Sequence, residues 1–173
     1  MALAYRLLLL RFLFCLGGVV GCLKSVCLRF SYFSNLCLMK TKPFLESADV
    51  KAIAAAAEAE ALKHNWAVTI AIVDDGGHLL GLQRLDGAPA ISSYIAPAKA
   101  NTAALGRRES KVYEDVINAG RMSFLSAPEI KGMLEGGVPI VKDGQFIGAV
   151  GVSGVKSNED AQIAKAGIAA IGL

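Results

Sequence analysis

The segment from Gly136 to Gly154, GGVPIVKDGQFIGAVGVSG, constrains the fold of this chain most strongly. It contains two short apolar runs, 138–142 and 146–153, joined by Asp143-Gly144. Such a dipeptide between apolar runs predicts a tight hairpin, because glycine adopts the positive φ angle that the turn requires. The second run is apolar or small throughout, which indicates a strand covered on both faces. The segment therefore predicts an antiparallel hairpin inside a layered domain.

Three glycines of this segment, Gly148, Gly151 and Gly154, follow one another at intervals of three residues. A dinucleotide-binding fingerprint also contains spaced glycines, but it occupies a strand-to-helix turn. Since these glycines run along a predicted strand, we reject that interpretation. Glycine within a strand marks close approach by a helix or by a ligand, and the sequence leaves both open.

A second hairpin is predicted earlier in the chain. Ala67–Val73 alternates large and small side chains, Asp74–Gly77 forms a turn, and His78–Arg84 returns. Strands joined by tight turns are antiparallel. The two hairpins therefore argue against a doubly wound parallel sheet.

Helical patterns precede, separate and follow the hairpins. Ser47 or Asp49 is expected to cap the first helix, and Ser157 with Asp160 resembles a capping box at the last. The order of helix, hairpin, helices, hairpin and helix predicts an α+β fold with helices covering an antiparallel sheet. The predicted helices are 45–64, 92–108, 110–118 and one from residue 157, and a long loop, 120–136, contains a helical turn at 128–134.

Charge and cysteine content divide the 173-residue chain near Met39. The first 39 residues hold four basic and no acidic side chains, whereas the remainder holds 14 basic and 15 acidic ones. All four cysteines also precede Met39. We therefore treat residues 1–38 as a non-domain segment and residues 39–173 as one domain. The folded part has no basic cluster larger than Arg107-Arg108, which argues against nucleic-acid binding.

Residues 1–38 are apolar and basic, and three interpretations remain open. Met39 is the true start and the upstream residues are an over-reading of the gene, which predicts a cytoplasmic protein. Alternatively, residues 1–22 form a signal or lipoprotein-type leader, with Cys22 in a processing box, and the protein is exported or lipid-anchored. A membrane segment is the third, although the apolar run 12–23 is short for a bilayer.

The folded part shows no independent catalytic constellation. It lacks cysteine, the serines near glycine do not have nucleophile-elbow spacing, and Asp74-Asp75 suits a turn for backbone reasons. His78 is the side chain whose chemistry best suits iron ligation or proton transfer near neutral pH. Beside a hairpin turn, a bare histidine is also typical of a solvent-facing residue without a ligand.

Four blocks together resemble the GlcG/HbpS family, also described as DUF336 or haem-degrading domains. The resemblance extends over residues 39–173 and also includes the C-terminal domain of PduO-type corrinoid adenosyltransferases. It implies a profilin-like α/β/α fold with a five-stranded antiparallel sheet, and a homo-oligomer. The blocks are VDDGGHLLGLQRLDGAP at 73–89, AKANTAA at 98–104, the glycine-rich hairpin, and SNEDAQIAKAGIAAI at 157–171.

The same resemblance implies a small-molecule ligand, either haem or, alternatively, a corrinoid. It places Lys99 and Thr102 near the ligand, and His78 is the candidate ligand for haem iron. Arg107, with Arg108, is a candidate partner for propionates. The expected floor for a flat ligand consists of Gly136, Gly137, Gly151 and Gly154.

Three functions follow as expectations. The first is binding of haem or a related tetrapyrrole, the second is an enzyme that degrades haem or acts on a small hydroxy acid, and the third is an accessory protein of glycolate or similar small-acid metabolism. Fold alone does not choose among them.

Overall fold

The computed structural model describes residues 41–173, so the expectations for residues 1–38 lie outside the described residues. The described part contains four α-helices, four strands and one short 3-10 helix, Met122–Ser126. Their order confirms the predicted succession of helix, hairpin, helices, hairpin and helix. The helices are α1 (Ser47–Lys63), α2 (Ser92–Gly106), α3 (Lys111–Asn118) and α4 (Ser157–Ala169), and the strands are β1 (Thr69–Asp74), β2 (Leu79–Arg84), β3 (Gly137–Lys142) and β4 (Gln145–Ser153).

The described strands form one antiparallel sheet in the order β2-β1-β4-β3. Both predicted hairpins are present, and the longest strand, β4, lies in the interior. The turn between β3 and β4 has positive φ at Asp143 (49°) and Gly144 (74°), as a tight hairpin turn requires. The resemblance implies five strands, and the described residues supply four.

One face of the sheet is covered by α1 and α4. Large branched side chains of the two central strands, among them Ile70, Ile72, Val150 and Val152, pack here with Ile53 of α1. Ile53 and Ile163 of α4 are fully buried. Burial of such a side chain stabilises a fold by about 1.5–3 kcal/mol, so this layer is the main hydrophobic core.

The other face is covered by α2 and has much smaller side chains. Val73 and Ala149 pack against Ala100 and other alanines of α2. A Cβ atom at Gly151 would overlap the backbone of α2 at Ala96 and Ala100. The glycine therefore allows the helix to lie directly on β4, which is the helix-packing interpretation of its place in the strand.

The two predicted helix caps differ from those observed. Helix α1 begins after Glu46, whose N–H donates to Asp49 Oδ2 at 2.9 Å, so Asp49 acts within a capping box and not as the N-cap. At α4 the N-cap is Lys156, whose N–H donates to Glu159 Oε2 at 3.1 Å. The expected capping box of Ser157 with Asp160 is therefore wrong by one residue. The Asp160 side chain does not take part in the box.

The long segment between α3 and β3 also differs from expectation. No helical turn forms at 128–134, and a 3-10 helix forms earlier, at Met122–Ser126. The Gly132 N–H donates to Thr102 Oγ1 at 3.1 Å, and a Cβ at Gly132 would overlap the α2 backbone. Contact with α2 holds this stretch extended.

Candidate functional site

The turn between β1 and β2 orders the histidine that the sequence analysis selected. Asp74 Oδ1 accepts hydrogen bonds from the N–H groups of Gly76 and His78, both at 2.8 Å. The other carboxylate oxygen, Oδ2, lies 3.1 Å from His78 Nδ1. Aspartate is favoured in such turns because its side chain bonds the backbone two residues on. The same carboxylate thus shapes the turn and orients the imidazole.

Asp74 is held in its ionised form. Burial by itself raises the pKa of Asp74, but the hydrogen bonds from the His78 backbone and ring and from the Gly76 N–H outweigh burial and hold that pKa below its usual value. The His78 side chain is 81% exposed, and its Nε2 has no hydrogen bond within residues 41–173. A histidine that ligates a metal typically donates its other ring N–H to a carboxylate, and His78 has this arrangement.

An apolar surface lies at the same turn on the α2 side of the sheet, whereas the Asp74 carboxylate that holds the His78 ring points to the α1 side. The Asn101 side chain of α2 donates to Gly77 O at 3.4 Å, and Leu105 packs beside Gly77. Leu79 lies opposite Val73 and therefore points to the α2 side of the sheet. Leu79 and Leu105 are 54% and 41% exposed. We call the surface formed by residues 77–79, Asn101 and Leu105 the His78 surface.

Arg107 lies two residues beyond Leu105, at the same end of α2. It terminates the helix with a positive φ of 52° and is exposed. Its neighbour Arg108 is engaged, because its guanidinium lies 5.6 Å from the Tyr113 ring centre and its Nε donates to Gly106 O. Of the two arginines considered from sequence, Arg107 is the one available to a ligand at the His78 surface.

Lys99, in contrast, is buried. Its Nζ donates to Asp160 Oδ2 at 2.7 Å and to Val152 O at 3.0 Å. Burial raises the pKa of Asp160, and the Lys99 ammonium opposes that rise. The pair connects α2 with α4, which lie on opposite faces of the sheet. A ligand contact through Lys99 would require this pair to open.

Thr102 is also engaged within the protein. Its Oγ1 donates to Ala98 O at 2.9 Å and accepts from the Gly132 N–H. The side chain is fully buried beneath the 120–136 segment. Thr102 and Lys99 therefore lie inside the fold, on a side of α2 away from His78.

The four glycines expected to form a floor do not line an open surface. The backbone of α2 covers Gly151 and Gly137, and the Lys99 ammonium lies over Gly136. Gly154 is covered by the backbone of Ala67 and Val68, which lie just before β1. Each place that a flat ligand would use is filled by protein atoms.

A separate cavity of about 410 Å³ lies between α1 and β2, on the other face of the sheet. Its lining is mainly apolar and includes none of the residues selected from sequence. Within residues 41–173 no group of three or more His, Cys, Asp or Glu side chains could hold a metal ion, and no helix is both long and apolar enough to cross a membrane. The cavity is lined by Leu45, Ser47, Val50, Lys51, Ala54, Ile70, Ile72, Leu80, Gly81, Leu82 and Gln83.

Sequence reasoning missed Asp160, Asn101 and Leu105. Asp160 was taken for a cap because acids at a helix start suit the dipole. Its spacing of 61 residues from Lys99 carries no local signal. Asn101 stands inside the AKANTAA block, but only the fold shows that it reaches the β1–β2 turn.

Comparison with known proteins identifies the class of this domain. The model of the family described as "Haem degrading protein HbpS-like" matches residues 45–169. The chain belongs to the HbpS-like family, which also confirms the resemblance seen in its sequence blocks.

Particular relatives agree with this assignment. Protein GlcG of Escherichia coli strain K12 is 57% identical over 115 residues, which cover 66% of this chain and 85% of GlcG. The crystal structure of HbpS superposes with a TM-score of 0.72 at 29% identity, covering 79% of this chain and 96% of HbpS. The crystal structure of a PduOC:heme complex superposes with a TM-score of 0.67 at 30% identity, covering 74% of this chain and 95% of PduOC.

Proposed function

We propose that this protein binds haem or a related tetrapyrrole at the His78 surface. Membership of the HbpS-like family and the likeness to PduOC, whose crystal structure is of a complex with haem, support a tetrapyrrole ligand. A corrinoid is the alternative, because the chain is 32% identical over 109 residues to a segment that makes up 32% of PduO, a corrinoid adenosyltransferase of Salmonella typhimurium.

The observation that carries the proposal is the Asp74–His78 pair, at a turn that also carries exposed apolar side chains on its α2 side. Asp74 holds Nδ1 and leaves Nε2 available to iron, while Leu79 and Leu105 offer exposed apolar surface on the α2 side of the same turn. Arg107 supplies a positive charge at the rim for a propionate. Haem bound here would supply redox and ligand-binding chemistry, and the protein would orient its iron through His78.

Titration of the full-length protein with hemin tests binding. We expect a shifted Soret band that saturates at a fixed ratio of hemin to protein, whereas adventitious hemin gives a weak, unsaturated change. Ala54→Trp fills the α1–β2 cavity, whose lining includes no residue of the His78 surface. We expect this variant to bind hemin like wild type, and loss of binding would transfer the site to the cavity.

The family description favours haem degradation as a second candidate. Hemin-loaded protein incubated with ascorbate in air would then lose its Soret band faster than hemin bound to serum albumin, with release of iron to a chelator. Equal rates would remove this candidate and leave the binding proposal intact.

We also propose that the protein is a homo-oligomer. Large apolar side chains remain exposed across the described surface, including Leu79, Leu80 and Leu82 on one strand. Contiguous exposed apolar surface is typical of association sites. Light scattering after size-exclusion chromatography tests this, and a mass equal to one chain would contradict it.

A further inference from the structure

The two edges of the described sheet differ in how they are protected. At the β3 edge, the Val152 N–H donates to Gly136 O. Because antiparallel pairing alternates between hydrogen-bonded and non-hydrogen-bonded pairs, Gly137 and Pro139 then direct their backbone groups away from β4. Ser110 binds both outward groups of Gly137, and Pro139 has no N–H to offer. The β3 edge is closed to another strand over these positions.

The β2 edge has no such protection within residues 41–173. The Leu85 N–H donates to Val68 O, so by the same alternation Leu82 and Arg84 direct their N–H and C=O groups away from β1. Between Leu79 and Leu82 the strand carries three exposed leucines, and it contains no proline and no charge before Arg84. An open apolar edge of this kind is a template for strand pairing.

We propose that β2 pairs antiparallel with β2 of a second copy of this chain, about a two-fold axis near Leu82. The inference rests on the proposed self-association and names the surface that makes it. A heterologous contact would need the β3 edge, which Ser110 and Pro139 close, whereas a β2-to-β2 contact is self-complementary and closes on itself.

Charge is compatible with a second copy as the occupant. One end of β2 carries Arg84, whose guanidinium donates to Ala88 O and which is followed two residues later by Asp86, and the other end adjoins the Asp74-Asp75 turn, where Lys42 pairs with Asp75. Antiparallel pairing about a two-fold axis brings the Arg84 end of each copy toward the acidic turn of the other copy, so the same contact forms at both ends of the paired strands. Opposite charges across paired strands stabilise the pair, whereas like charges would oppose it.

Leu82→Pro provides the sharpest test, because proline at this position would remove an outward N–H donor from the β2 edge, as Pro139 does at the β3 edge. It removes an N–H that points away from β1, so the β1–β2 ladder keeps its hydrogen bonds. Leu82→Lys is the second variant and places a charge at the open edge without a backbone change. Leu62→Lys changes another exposed leucine, 60% exposed on α1, and is the matched control.

The masses of the full-length proteins are measured without ligand by light scattering, with circular dichroism melting as the check of folding. We expect Leu82→Pro and Leu82→Lys to halve the mass of the wild-type assembly, and Leu62→Lys to keep it. In wild type, the Arg84 amide should exchange with solvent more slowly at high protein concentration than at low. Folded Leu82 variants with wild-type mass would overturn the β2 interface while leaving self-association standing. A monomeric wild type would overturn both, and hemin titration of that monomer would still test tetrapyrrole binding separately.

Discussion

Lys99 and Asp160 form a buried ion pair across the sheet, with Nζ and Oδ2 2.7 Å apart and both side chains at least 96% buried. Lys99 comes from α2, on one face, and Asp160 from the first turn of α4, on the other. The chain at Gly136 has no side chain to obstruct the ammonium. This pair fixes α2, and with it the helix end that adjoins His78.

Removal of one member of this pair should destabilise the fold strongly. We expect Asp160→Leu or Lys99→Met alone to lower the free energy of unfolding by about 3 to 5 kcal/mol, because a buried charge is left without its partner. The double variant should recover most of the loss, since an apolar pair leaves no buried charge. Urea denaturation of the four proteins measures the coupling, and additive losses would show that the two residues act independently.

Gly151→Ala tests the close contact between α2 and β4. Its Cβ would overlap backbone atoms of Ala96 and Ala100, which cannot rotate away. We expect a loss of about 1–3 kcal/mol in unfolding free energy, as for other overpacked cores. Gly144→Ala, in the β3–β4 turn, has open space around its Cβ and only a positive φ to oppose it. It should cost about 1–2 kcal/mol, the cost of a left-handed backbone at a residue other than glycine, and a Gly151→Ala protein as stable as wild type would contradict the packing.

Stability should depend on Asp74 at acid pH. Its pKa is lowered in the folded state, so its contribution is fully present above the unfolded value, near 3.9, and is lost as pH falls through the folded pKa. Asp74→Asn should therefore lose stability at pH 6 and show a smaller further loss between pH 5 and pH 2.5. Urea midpoints across this range measure the effect. Asp86→Asn, at an exposed aspartate in the following turn, is the control.

Arg107 should contribute to affinity through charge. We expect Arg107→Gln to weaken hemin binding by about two- to fivefold, as suits an exposed ion pair, and to leave binding of hemin dimethyl ester unchanged because its propionates are neutral. Arg108→Gln is the matched control, since that guanidinium already stacks on Tyr113. Equal effects of the two substitutions, or an equal effect on the ester, would remove Arg107 from the site.

The hairpins could be predicted because their information is local. Asp143-Gly144 and the Asp74–Gly77 turn specify tight turns by backbone chemistry, and large and small residues alternate along β1. The Asp74–His78 pair is also short in range, although the role of the carboxylate appears only in three dimensions. In contrast, the sequence could not show that Lys99 points inward, because its partner is 61 residues away. For the same reason Gly151 was compatible with a ligand or a helix until α2 was seen to cover it.

The central claim is that His78 holds the tetrapyrrole, and comparison of the two histidines of the chain tests it most directly. His64 lies at the C-terminal end of α1, stacked on Trp66 with ring centres 4.4 Å apart, and serves as the control. In hemin titrations of full-length His78→Ala and His64→Ala, we expect His78→Ala to weaken binding at least about tenfold, a loss of roughly 1.4 kcal/mol, and to abolish the Soret shift of a histidine-ligated iron. His64→Ala should match wild type. Wild-type affinity and spectrum in His78→Ala would contradict the account.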